Sequence, residues 1–245
     1  MTPARIFIAV AALAAAPVAS AQTVAPPAAA RIAPARLALG LELARLLNSE
    51  AGTIAMLEKM LGESLPRAIL ADPNVAAMER QYPGIVADMI AAMKPLMITY
   101  MRGELPSLWE PLAALYATHL SEADLHEVIA FYSSPTGARI IAFMEQSVDY
   151  EPMLREMAAS GDYALSDAAM DNAEAASVEQ LPGQLSPGEM AAVVRFTNTP
   201  AGRRFVALLE QSKAIVSQWA AEPTPELDAR LEAAVMAVIN KRIGR

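Results

Sequence analysis

The residues best equipped for chemistry in this chain are two histidines, a row of methionines and one tyrosine-arginine-aspartate grouping. His119 and His126 stand seven apart, a spacing that shares one face of a continuous helix, but Ser121 between them is a helix-start residue. They are expected as surface or capping residues, with a metal pair as the alternative. Met89, Met93, Met97 and Met101 recur every four residues, which advances about 40° per step around a helix. Four thioethers suit Cu(I), and they also suit contact with an apolar ligand. Because Ile90, Leu96 and Ile98 interleave with them, core filling is the first expectation. Tyr132, Arg139 and Asp124 could form an acid-base group, yet Tyr132 falls on an apolar stripe. The sequence has no Gly-x-Ser-x-Gly elbow, Gly-rich phosphate loop, dinucleotide fingerprint or His-Glu-x-x-His pattern. No catalytic, cofactor-binding or metal-binding residue is assigned from sequence, and the chain reads more readily as a non-enzyme.

Composition narrows the partners. The chain of 245 residues has a formal net charge of −8 and no cysteine. The acidic balance, without basic clusters, opposes phosphate backbones, so nucleic acid is not an expected partner. Lacking cysteine, it can form no disulfide, thiol nucleophile or thiolate metal site. Residues 1–21 place Arg5 ahead of an apolar run and close on Ala19-Ser20-Ala21, the pattern of a secretory signal cleaved near Ala21. The expected location is periplasmic or secreted. No later stretch is apolar enough to span a bilayer: the best, residues 84–101, carries Asp88 and Lys94.

The elements that must position these residues read as helices throughout. After a Pro/Ala-rich lead-in at 22–34, Leu39, Leu43, Leu46 and Leu47 share a face. Ile54, Leu57 and Leu61 form a second stripe before Pro66. Asp72-Pro73 opens a third segment near Asn74, and a fourth covers 84–102 with a kink expected at Pro95. A fifth runs from Glu104 to His119. Residues 35–160 are expected as one helical domain, 161–184 as an acidic connection carrying a solvated helix at 168–180, and 185–245 as a second unit with a C-terminal helix.

Leu120–Gln146 and Leu185–Gln211 align without gaps at an offset of 65 and are identical at ten positions. Internal duplication is the simplest account. In each copy a capping box opens a helix: Ser121 with Asp124, and Ser186 with Glu189. Leu125, Val128, Ile129 and Tyr132 then supply a buried stripe, matched by Met190, Val193, Val194 and Thr197, with Phe131 and Phe196 beside it. Ser134-Pro135 and Thr199-Pro200 each end one helix and start another, the proline standing at the first helical position. Gly137 and Gly202 follow inside the first turn, where glycine costs about 1 kcal/mol against alanine. That cost, taken twice, implies close backbone contact with the preceding helix. Arg139 and Arg204 lie near helix N-termini, where the dipole disfavours a cation. Solvated arginines, with Asp124 and Glu189 used only for capping, are one expectation, and an ion pair closing the corner, Arg139 with Asp124, is the other. The fold class is therefore all-α, a helical bundle with a duplicated helix-corner-helix unit.

The first copy, LSEADLHEVIAFYSSPTGARII, resembles the signature of a bacterial family called domain of unknown function 2059. The resemblance covers about residues 95–160 and falls on Leu120, Ser121, Leu125, Phe131, Tyr132, Ser134, Pro135 and Gly137, with Arg139 where the family usually has lysine. It implies an exported, helical protein and no particular activity. The leading function class is a non-catalytic binding or interaction module of the cell envelope, its partner an envelope protein. A carrier or sensor of an apolar small molecule or lipid is the alternative, and a hydrolase the third.

Overall fold

The computed structural model describes residues 32–147 and 180–244. The signal and most of the lead-in, together with residues 168–179 of the expected acidic helix, lie outside the described residues. All regular structure among the described residues is helical.

Helix α5 (Ile85–His119) is the axis of the fold, and α1 (Pro34–Leu47) and α11 (Pro225–Ile243) both pack along it. The approach of α1 is close enough that a Cβ on Gly40 would stand 2.5 Å from the Ala113 carbonyl oxygen. Sequence reading divided α5 into two segments near Gly103; the structure runs them together through Pro95, Pro106 and Pro111. Each interior proline costs about 3 kcal/mol. The continuous apolar face outweighs this, for Leu105, Leu108 and Leu112 are fully buried and Met89, Met97 and Met101 nearly so. The methionine row is thus core, with Met93 partly buried against the same cluster.

Both ends of α5 are specified locally. Gly84 precedes it with φ 87°, a left-handed backbone that favours glycine. Having no side chain, Gly84 cannot cap. Glu79, from α4 (Pro73–Gln81), reaches across instead and accepts from the amides of Gly84 (2.6 Å) and Val86 (3.1 Å). Those two amides hold its carboxyl below the usual range. Arg242 of α11 donates to Asp88 in the first turn of α5 (Nε to Oδ2, 2.7 Å), fastening the chain's last helix to the start of its longest.

On the opposite flank, α2 (Glu50–Lys59) opens on a Ser49 cap and runs into α3 (Leu65–Leu70) through a π-turn at Met60–Ser64. Proline at 66 cannot donate the bond that an α-helix needs there. The chain widens by one residue, with the Leu65 amide bonded to the Met60 carbonyl, and the stripe Met60 and Leu61 stays buried. Trp109 closes this corner: its indole donates to the Asn48 carbonyl at 2.8 Å, and the Arg45 guanidinium lies 5.1 Å from the ring centre.

Among the described residues no single helix is long and apolar enough to cross a membrane.

Candidate functional site

The two similar segments form two helix corners: α6 (Glu122–Tyr132) with α7 (Pro135–Ser147), and α8 (Pro187–Asn198) with α9 (Pro200–Val206). Each starts with a completed capping box. Ser121 Oγ accepts from the Asp124 amide (3.2 Å) while the Ser121 amide donates to Asp124 Oδ2 (3.0 Å). Ser186 and Glu189 repeat this at 3.3 and 2.8 Å.

The corners themselves are built alike. Ser134 Oγ accepts from the Gly137 amide (3.2 Å) and donates to the Phe131 carbonyl (2.6 Å); Thr199 Oγ1 does the same with Gly202 (3.0 Å) and Phe196 (2.9 Å). One hydroxyl therefore caps the incoming helix and ties it to the last turn of the outgoing one. The price is proximity: a Cβ on Gly137 would stand 2.2 Å from the Phe131 carbonyl oxygen, and one on Gly202 2.0 Å from that of Phe196.

The segments diverge in two places. Helix α7 runs unbroken to Ser147, but α9 ends at Val206. The Leu208 amide there takes a tighter bond to the Phe205 carbonyl, and the chain restarts as α10 (Leu209–Ala221), which packs on α5. Val194, expected on the buried stripe, is 50% exposed. The buried stripe of α8 narrows to Val193 and Phe196.

The ion pairs correct the sequence expectation. Arg139 does not close its own corner on Asp124. It crosses to the other hairpin, where it pairs with Glu189 (3.4 Å) and donates to the Gln184 carbonyl (2.8 Å). Arg204 crosses in return and grips Asp124 with two bonds, Nε to Oδ2 at 3.1 Å and Nη2 to Oδ1 at 2.8 Å. Each arginine lies one corner away from the acid in its own unit, and the packing of α9 on α6 and of α7 on α8 brings the other unit's acid nearer. Between the pairs, Phe131 stacks on Phe196 with ring centres 4.0 Å apart and planes within 3°. Tyr132 meets Phe205 edge to face at 5.5 Å, and Phe205 in turn meets Tyr116 at 6.0 Å.

Electrostatics follow the geometry. Asp124 is buried, and the Arg204 hydrogen bonds hold its carboxyl below the usual range, with the Ser121 hydroxyl and amide adding to the effect. Glu189 is lowered mainly by the Ser186 hydroxyl and amide, then by Arg139. The tyrosines move the other way. Burial pushes the Tyr116 hydroxyl up to about 12, against a hydrogen bond with Ser212 that lowers it, and burial raises Tyr132 as well. Tyr132, Arg139 and Asp124 do not converge as an acid-base group, because Arg139 and Asp124 are committed to different partners.

The histidines are both exposed, His119 at the end of α5 and His126 on α6, with a helix boundary between them as Ser121 implied. What sequence reading missed is the aromatic bridge to α5 through Phe205 and Tyr116, and the bond from the Trp219 indole to Ser107 Oγ (2.8 Å). Two tryptophans in 245 residues were the available signal, since a buried indole requires an acceptor.

A family model described as "Uncharacterized protein conserved in bacteria (DUF2059)" matches residues 108–150. The match spans the end of α5 and the first hairpin, narrower at both ends than the resemblance seen in sequence. No curated protein and no solved structure matches the chain.

Proposed function

We propose that the protein is a non-catalytic interaction module of the bacterial cell envelope, exported with cleavage near Ala21 and acting in the periplasm or outside the cell. One observation carries this reading: four polar side chains of the matched segment, at its capping, corner and pairing positions, are engaged in building and joining helices. Ser121 and Ser134 cap, Asp124 caps and pairs, and Arg139 joins the two hairpins. A catalytic constellation keeps such groups aimed at a substrate. Here their bonding strength goes into presenting a fixed arrangement of helices. Val194, apolar and 50% exposed on α8, gives a surface position at which contact with a partner can be probed.

In the native bacterium, a photo-crosslinking residue at Val194 should yield a single heavier species, formed with one other polypeptide in fixed ratio. The protein should be recovered from the envelope fraction with Gln22 as its first residue. Recovery as a cytoplasmic protein starting at Met1, or as a complex with stoichiometric co-extracted lipid and no crosslinked polypeptide, would overturn the reading.

A further inference from the structure

We propose that residues 180–243 are an exchangeable unit, and that the face of α6–α7 bearing Asp124, Phe131 and Arg139 recognises the same unit of a second copy of this chain. This inference is independent of where the protein acts and of any envelope partner.

Reciprocity carries it. Asp124 pairs with Arg204 and Glu189 with Arg139, and the 65-residue offset turns one pair into the other, since Glu189 is the counterpart of Asp124 and Arg204 that of Arg139. Phe131 stacks on Phe196, its own counterpart at that offset. The second helix of each hairpin lies on the first helix of the other, α9 on α6 and α7 on α8. Residue i meeting j while j meets i, with one position meeting itself, is the contact pattern of a two-fold interface between identical units. In this protein both halves of that pattern lie in one chain.

Nothing in the recognition requires the two hairpins to be in the same molecule. Each capping box and each hydroxyl-proline corner is closed by residues of its own hairpin, so a unit keeps its shape when it changes partners. Other ties of 180–243 to the body include Arg242 to Asp88, Trp219 to Ser107, Phe205 to Tyr116 and the packing of α10 and α11 on α5, and all of these can be reproduced on the body of a second chain. Residues 148–179 join the two parts. At about 3.3 Å per residue that length of chain reaches on the order of 100 Å, ample to pass between molecules. Exchange of an identical element is a low-cost route to a dimer, because the element meets the same surface in its new place.

The test uses two full-length variants. The all-acidic chain carries Arg139→Asp and Arg204→Asp; the all-basic chain carries Asp124→Arg and Glu189→Arg. Neither can form its own ion pairs, and neither can form them with another copy of itself. Unfolded and refolded together, they should give a one-to-one heterodimer of twice the single-chain mass by light scattering, while each refolded alone stays at single-chain mass. A third chain carrying all four substitutions has its pairs restored internally. It should remain at single-chain mass and ignore both other variants, which separates exchange from mere attraction of opposite charge. Mixtures of the two variants that stay at single-chain mass, or that form no folded species while the four-fold variant folds, overturn the proposal. So does a four-fold variant that dimerises with either of them.

Discussion

Gly137→Ala is expected to be among the most damaging single substitutions in the chain, although it adds one methyl group. The new Cβ would stand 2.2 Å from the Phe131 carbonyl oxygen and 2.4 Å from the Tyr132 Cα. Both are backbone atoms of α6, so no side chain can swing aside. Relief requires α6 and α7 to separate, which pulls Ser134 from its cap and strains the packing of α7 against α8. The expected loss is at least about 3 kcal/mol, the upper end of the overpacking range, or a Tm about 6–12 °C lower for a chain of this size. Gly202→Ala should behave likewise, since its Cβ would meet the Phe196 carbonyl oxygen at 2.0 Å. Gly103 in α5 is the control. A Cβ there meets nothing within 4 Å, so alanine should be neutral or stabilising by up to about 1 kcal/mol. Thermal melts of the three variants check the contrast, and equal effects at 103 and 137 would refute the close-contact account of the corner.

The second large effect is expected at Phe196. It is buried, parallel-stacked on Phe131 and edge-on to Tyr132 at 6.1 Å. Phe196→Ala opens a cavity between the hairpins and should cost about 3–5 kcal/mol in denaturant titrations. Val194, two residues earlier on the same helix, separates this from a general fragility of α8. It is exposed, and Val194→Ala should fall within about 0.5 kcal/mol of the parent. A comparable loss at both positions would mean that α8 is buried on a face the structure leaves open.

These two predictions mark what could be read from the sequence. The capping boxes, the hydroxyl-proline corners and the glycines were legible because each is a local device: three or four adjacent residues contain both the donor and the acceptor. The same holds for Asp72, which accepts from the Asn74 amide at 2.7 Å and starts α4 where Asp72-Pro73 implied. The ion pairs were not legible, and the reason is combinatorial. Each similar segment carries a capping acid and an arginine at matching positions, so pairing within a segment and pairing across segments look identical in sequence. Only the direction in which α7 leaves its corner decides between them, and that direction depends on packing against α8. The exposure of Val194 is a similar case. The stripe on α8 was predicted from that on α6, but α6 also packs on α1, and among the described residues α8 meets a smaller set of neighbours. Continuity of α5 was hidden by prolines whose local cost is overridden by burial along the full length of the helix.

The methionine row could be placed from sequence for a general reason: thioethers that alternate with Ile and Leu on one helix face share that face's fate. The catalytic readings had no such support. A carboxylate and an arginine fifteen residues apart in sequence gain meaning only from geometry, and the geometry commits Asp124 and Arg139 to opposite hairpins.

The central claim is that the two helix corners are locked by reciprocal cross-pairs, and double-mutant cycles on the intact chain test it most directly. Alanine substitutions at Asp124 and Arg204, singly and together, should be clearly non-additive in unfolding free energy, as should those at Glu189 and Arg139. The cycle for Asp124 and Arg139 should be additive within scatter, because the two side chains do not touch. Additivity of Asp124 with Arg204 together with coupling of Asp124 to Arg139 would place each arginine on its own corner and contradict the arrangement described.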